Sequence, residues 1–213
     1  MTELTLEPFD VLYEVESLSG VGLPEALADV YGGDLGFEEP CVYANFVATL
    51  DGVIFRFGLM LVADPARALS ETRRVLRPDG RLVLAVWRGA DRNPWISIAG
   101  RMLVERSHMP PPEPGAPGIF SLADDARLRG LLEDAGFTVR RLEDVPVRFV
   151  YADLDDYVRR ARDTGGNFAT VWREVSEEER SGMWSELAEA FRPFAVDEGY
   201  AFPGVALVAV AVG

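Results

Sequence analysis

The sequence predicts an α/β fold: half of a doubly wound sheet, with an antiparallel pair of strands at its C-terminal end. Three observations predict it. After residue 52, two apolar strand-like runs flank an amphipathic stretch, the pattern of a β-α-β unit with parallel strands and a right-handed crossover. Two more strand-like runs come late in the chain, separated by helical material, and can close as an antiparallel edge. The 213 residues are 48% hydrophobic and 26% charged, a globular composition with room for one domain and a small addition.

The elements follow in order. Residues 23–33 read as a short helix, with Pro24 near its start and Gly32-Gly33 at its end. Cys41 to Leu50 is rich in β-branched and aromatic residues and reads as a strand. Asp51-Gly52 divides it from the apolar run that starts at Val53, a hairpin signal. Asp64 caps a helix with Pro65 at its first position, and Ala68, Leu69, Val75 and Leu76 carry its apolar periodicity. Pro78 stops that helix, and Gly80 permits the tight turn into a buried strand at 81–87. Asn93-Pro94-Trp95 opens a helix reaching about Ser107, followed by a loop at 109–118 too rich in proline for regular structure. Ser121 to Ala135 is amphipathic through Leu122, Leu128, Leu131 and Leu132, and Gly136 ends it. Residues 137–151 read as a strand interrupted by Pro146. Residues 153–164 and 176–192 read as helices, the second with Ser176 and Glu179 in capping-box spacing. The last ten residues are a buried strand.

Charge narrows the functional classes. The net charge of −14 disfavours nucleic acid or anionic membrane as a partner. All 21 basic residues are arginine, so lysine chemistry is excluded: no Schiff base, no P-loop lysine and no lysine general base. No run of eighteen apolar residues exists, and the opening MTELTLEPFD has no basic start before an apolar core, so neither a membrane span nor a secretory leader is expected. The single cysteine, Cys41, rules out an intramolecular disulfide and fits a cytoplasmic protein. The charge is unevenly placed. Residues 1–52 hold 11 acids and no base, a net −11, while residues 53–213 hold 24 acids against 21 arginines, a net −3. That step predicts an acidic N-terminal segment, 1–52, joined to a separate body, 53–213.

Residues 55–87 resemble the middle of a class I S-adenosylmethionine-dependent methyltransferase. The family's fourth strand ends in a loop matched by Arg56-Phe57-Gly58-Leu59-Met60. A helix follows, then a Leu-Arg-Pro-Gly-Gly turn matched by Leu76-Arg77-Pro78-Asp79-Gly80, with Asp79 at the first glycine position. Asn93-Pro94-Trp95, the proline-rich loop, Gly118-Ile119-Phe120-Ser121-Leu122, residues 131–137 and the final strand continue in family order, about three quarters of the chain in all. The resemblance implies an incomplete Rossmann-like sheet and methyl transfer from S-adenosylmethionine to a small-molecule acceptor. Such a displacement depends on positioning more than on a strong catalytic side chain, and no catalytic residue is assigned. By the same resemblance Arg56, Phe57, Gly58 and Met60 stand beside the cofactor. Trp95, Phe120 and Phe149, with Trp172, are candidates for the acceptor pocket or for plain core. The family binds its cofactor mainly through a glycine-rich turn and a ribose-binding acid in its N-terminal half. Here only 52 residues precede the fourth-strand equivalent, and the one candidate turn, Ser19-Gly20-Val21-Gly22, reads as an ordinary loop. Impaired cofactor binding is expected.

Residues 42–53 are similar instead to the opening strand of riboflavin-type pyrimidine reductases, whose fold is dihydrofolate reductase-like. That resemblance would put Asn45, Thr49 and Asp51 near a nucleotide and substrate site, but the glycine-rich cofactor loops of that family have no counterpart. The two resemblances meet at Asp51-Gly52-Val53, where the charge also steps, and imply a fusion. The alternative function is a non-catalytic fusion remnant. Its bared sheet edge would pair with residues 41–50 or with a second copy as a homodimer. Elsewhere His108 reads as a surface residue at a helix end and Cys41 as a small buried hydrophobe. Asp153, Asp155, Asp156 and Glu177 to Glu179 read as helix-start acids rather than metal ligands.

Overall fold

The computed structural model describes residues 46–48, 51–113, 115–163 and 166–213. The helix expected at 23–33, the Ser19–Gly22 turn, Cys41, Asn45 and Thr49 lie outside the described residues. Asp51-Gly52 does turn the chain back. Strand β1 (Phe46–Ala48) pairs antiparallel with β2 (Gly52–Arg56), Val47 opposite Ile54. Helix α1 (Pro65–Val75) starts where its sequence signals put it: the Asp64 carboxylate accepts the Arg67 amide and Pro65 takes the first helical position. Strand β3 (Arg81–Trp87) then lies parallel to β2, completing the β-α-β unit.

Helices α2 (Pro94–Glu105) and α3 (Asp125–Asp134) lead to β4 (Thr138–Tyr151). Helices α4 (Leu154–Asp163), α5 (Gly166–Glu174) and α6 (Glu177–Phe191) follow. A two-residue β5 (Ala195–Val196) turns into β6 (Gly199–Val212). Strand β6 inserts antiparallel between β3 and β4, giving the order β1-β2-β3-β6-β4. The fold is therefore α/β, with a parallel pair extended by the expected antiparallel C-terminal pair. Leu82, Leu84 and Val86 of β3 and Leu207, Ala209 and Ala211 of β6 are sealed in a core with α1 and α3. A second core gathers Tyr151, Tyr157, Phe191 and Phe202 with α2, α5 and α6.

Four expectations need correction. Strand β4 is not interrupted at Pro146: it pairs with β6 for 14 residues, Pro146 opposite Val205. As the last strand in the order it has an outer side, where a proline removes no ladder hydrogen bond. Helix α3 begins at Asp125 rather than Ser121. The Asp124 carboxylate caps it by accepting the Arg127 amide, while the Ser121 hydroxyl and the Gly118 amide are drawn to the Met60 carbonyl. Helix α5 is an addition to the elements expected from the sequence. His108 is half-buried, not a surface group, and its Nε2 meets the Glu179 carboxylate on α6. The reading of Asp153 as a capping residue holds: its carboxylate accepts the Asp156 amide at 2.7 Å.

The buried β3 row should dominate stability. Leu84→Ala, at a site 1% exposed, should cost about 2–5 kcal/mol in urea unfolding. Leu61→Ala, at a site 53% exposed, should stay within about 0.5 kcal/mol. Equal losses would refute the assignment of the core to the β3 face.

Candidate functional site

In a sheet with parallel strands, ligands gather beyond the carboxyl ends of those strands. Here that place is where β2 and β3 end, at Arg56 and Trp87. Arg56 is exposed, and Phe57 leaves the strand at a φ of 57°, in the left-handed region that aromatic side chains seldom adopt. Such a conformation persists only when its surroundings over-determine it, at a cost of order 1–3 kcal/mol. Two contacts do so. The Phe57 amide donates to the Ala85 carbonyl at 2.9 Å, and the Phe57 ring stacks on Trp87 with centroids 4.1 Å apart and planes 10° apart. Gly58 then starts a 3₁₀ turn, Leu59–Leu61.

The stack continues sideways. Trp87 meets Trp95 edge-on at 5.1 Å, and Trp95 stacks on Phe149 at 4.0 Å and 20°. Offset and edge-to-face pairs of this kind add about 0.5–1.5 kcal/mol each beyond area burial. The wall depends on Gly204 of β6. A Cβ there would lie 2.9 Å from the Phe149 ring and 3.2 Å from Trp95 Nε1, so only glycine lets both rings reach the sheet.

Asn93 holds Trp95 in place. It precedes α2, but its side chain does not cap that helix. The fully buried carboxamide shares its Nδ2 hydrogens among the carbonyls of Arg88, Gly89 and Val205, at 2.8, 3.2 and 3.2 Å. Its Oδ1 accepts from Trp95 Nε1 at 3.1 Å and the Val205 amide at 3.0 Å. Both latter groups can only donate, so the amide has one possible orientation.

Next to it Arg88, with 16% of its side chain exposed, bonds Asp125 and Asp144, while Arg92 bonds the other oxygen of Asp144. Arg88 also donates to the Ala123 carbonyl at 3.0 Å. Burial opposes the charge on Asp144, but the hydrogen bonds from Arg92 and Arg88 outweigh it and hold the carboxyl below its ordinary range. Burial likewise opposes the charge on Arg88, and its two carboxylate partners more than offset it. This network joins the β3 exit to the start of α3 and to β4.

On the far side of the Trp95–Phe149 pair lies a cleft of about 530 Å³ between α2, the end of β4, α4 and Phe168 of α5. Its walls are largely aromatic and aliphatic, with Arg148 and Arg160 as the only charged residues among those lining it. Tyr157, 4% exposed, and Tyr151, 7% exposed, line one wall with their rings edge to face. Burial, reinforced by the Tyr151 charge, pushes the Tyr157 hydroxyl far above the ordinary phenol value, so it remains a proton donor. A larger depression of about 940 Å³ lies over α4 and α6, lined by charges largely paired with one another, Asp156 with Arg159 and Arg160, and Glu177 with Arg180. It stands away from the strand ends and carries no part of the site.

The structure thus brings Phe57, Trp95 and Phe149 together through Trp87, and Gly58 adjoins them. It does not bring in the rest. Met60 is 3% exposed in the core and acts through its carbonyl. Phe120 packs half-buried on that same core, and Trp172 lies in the second one. Sequence reading missed Trp87, Gly204, Tyr151 and Tyr157 as site residues. A signal existed only for Trp87, which ends a buried strand parallel to its neighbour.

Fold and geometry together give an α/β protein with an aromatic row, Phe57–Trp87–Trp95–Phe149, that runs from the end of its parallel pair to a cleft lined by Trp95 and Phe149. A family model described as "Methyltransferase domain" matches residues 44–84, which span β1 to most of β3. This supports a methyltransferase domain over that stretch. No curated protein sequence matches the chain. Among solved structures, a Bacillus halodurans protein provisionally described as a methyltransferase is 20% identical, covering 76% of this chain and 63% of its own, with a TM-score of 0.43. The YcgJ protein of Bacillus subtilis is 16% identical over the same shares, with a TM-score of 0.40. Phosphoethanolamine N-methyltransferase 2 of Haemonchus contortus, in complex with S-adenosyl-L-methionine, is 16% identical, covering 76% of this chain and 33% of its own, with a TM-score of 0.33. The chain thus covers 63% of each of the first two.

Two outcomes are expected. Asn93→Leu, which leaves the Val205 amide and Trp95 Nε1 without an acceptor, should destabilise the fold by at least about 2 kcal/mol and red-shift tryptophan emission. A loss below about 0.5 kcal/mol would refute its role. The depressed Asp144 carboxyl stabilises the fold at pH values above its unfolded pKa of about 3.9, and that share is lost as pH falls through the lower folded value. Thermal midpoints measured from pH 6 to pH 2.5 should therefore fall further for the wild type than for Asp144→Asn. Parallel curves would count against the network.

Proposed function

We propose that this chain is an S-adenosylmethionine-dependent methyltransferase-like protein acting on a small molecule, with weakened cofactor binding. One observation carries the reading: the turn at residues 56–58 and the 530 Å³ cleft share one continuous aromatic wall, Phe57–Trp87–Trp95–Phe149. The residues present fit one side of such a cofactor. Aromatic faces attract a sulfonium cation, and a half-buried glycine next to them allows close backbone approach. When bound, the cofactor supplies an electrophilic methyl group. The chain's own residues do the rest. Arg56, Phe57 and Gly58 bound the cofactor side, and Met60 ties the 118–121 segment down over it through its carbonyl. Trp95 and Phe149 orient the acceptor and exclude water. Phe120 supports that segment from the core.

Weak binding is proposed because no glycine-rich turn or ribose-binding acid is recognised in the sequence. The protein is proposed to work in the cytoplasm. Among the described residues no helix is long and apolar enough to cross a membrane. The second reading is a non-catalytic fusion remnant with a reductase-like start at residues 42–53, self-pairing as a homodimer. One observation favours it: among the described residues, β2 is flanked on the side away from β3 by a three-residue antiparallel strand.

Calorimetric titration with S-adenosylmethionine separates the two. The expected dissociation constant lies between about 0.1 and 1 mM, or roughly −5.5 to −4.1 kcal/mol, and Phe57→Ala should weaken it at least fivefold. No binding at saturating concentration would favour the remnant, and micromolar binding would refute the weakening.

A further inference from the structure

The cleft beside the Trp95–Phe149 pair has features that the fold alone does not require. Helix α2 carries Gly100 in its interior, where glycine costs about 1 kcal/mol relative to alanine. Packing does not demand it, because a Cβ at Gly100 would meet no atom within 4 Å. Gly100 faces the cleft, so its missing side chain keeps open a space that any larger residue would fill.

The polar groups of the cleft are selective in kind. Residues 53–213 hold 24 acids against 21 arginines, yet no acidic residue lines the cleft, while Arg148 and Arg160 do. Arg160 is held over the Tyr151 ring at 5.5 Å and paired with Asp156 at 2.9 Å. Arg148 is exposed on β4 and makes no ion pair among the described residues. The Tyr151 and Tyr157 hydroxyls, on side chains more than nine-tenths buried, have no hydrogen-bond partner among the described residues, yet neither oxygen is sealed from solvent. Both oxygens therefore reach solvent and stay open to a ligand's polar group.

Resting on the proposed methyltransferase reading for its place next to the cofactor side, we infer that this cleft binds a planar aromatic carboxylic acid. The ring system slides between Gly100 and the Phe149 and Tyr151 side of the cleft. The carboxylate meets Arg148 at the rim, and a ring substituent meets the tyrosine hydroxyls. A neutral analogue would leave Arg148 with water and gain only the apolar contact.

The probe is 2-naphthoate, compared with the uncharged 2-naphthamide, titrated into the full chain without cofactor and followed by quenching of tryptophan emission. Naphthoate should bind about fivefold more tightly than the amide. Arg148→Gln, at an exposed site, should bring the two within about twofold by weakening naphthoate alone. Gly100→Leu should abolish binding of both while keeping or raising the thermal midpoint. Equal affinity of the two probes for the wild type, or naphthoate binding that survives Gly100→Leu, would overturn the inference. Should Gly100→Leu fail to fold, the Arg148→Gln comparison still decides it: discrimination that survives that substitution overturns the assignment. S-adenosylmethionine titration is read separately. Loss of cofactor binding with naphthoate discrimination intact refutes the methyltransferase reading and not the acid site.

Discussion

The Asn93 carboxamide is the contact on which the rest of this structure depends. Strand β3 leaves the sheet at Trp87, and the chain must reverse through a 3₁₀ turn, Ala90–Arg92, before α2 begins. That reversal turns the carbonyls of Arg88 and Gly89 toward the interior, where unpaired they would carry the full desolvation cost. Asn93 meets both, and with its remaining donor and acceptor capacity clasps Val205 on the adjacent β6. At a fully buried side chain these bonds strengthen one another, and a missing one is costly. The clasp sets where α2 starts, hence the position of Trp95 and the face on which Gly100 opens.

Around this clasp two kinds of force share the work. Aromatic stacking stabilises the strained Phe57 and carries the wall from the β2 exit to the cleft. Ion pairing holds the outside: Arg88 and Arg92 gather Asp125 and Asp144, which lie on different elements, and so lock α3 and β4 to the β3 exit. Arg88 is mostly buried and hydrogen-bonded on several sides, which makes it unlike the solvated pairs elsewhere, such as Arg74 with Glu71. Among the described residues several acids serve as helix caps or arginine partners, while the only charged residues lining the cleft are arginines.

Much of the fold was legible because its signals are local. The Asp64-Pro65 cap, the Ser176 cap, the Asp51-Gly52 reversal and the strand at 81–87 each depend on residues within a few positions, and each stands as read. Part of the site was legible in the same way: Phe57, Trp95 and Phe149 were named from motif position and do converge. Met60 and Phe120 had equal standing in the sequence but face the core. Nothing local tells a core methionine from a pocket one in the turn that follows a strand.

Alone, the sequence determined the α/β class, the parallel pair and its crossover helix, the late antiparallel strands and the exclusion of lysine chemistry. These follow from periodicity, caps and composition. Only the tertiary structure decided that Pro146 sits harmlessly on an outer strand, that the Asn93 side chain spans 112 positions to Val205 rather than capping its own helix, and that Gly204 admits two aromatic rings. The physical reason is register. Across a sheet, a slip of one residue sends every side chain to the opposite face, so contacts between distant segments exist only once β3, β6 and β4 are aligned.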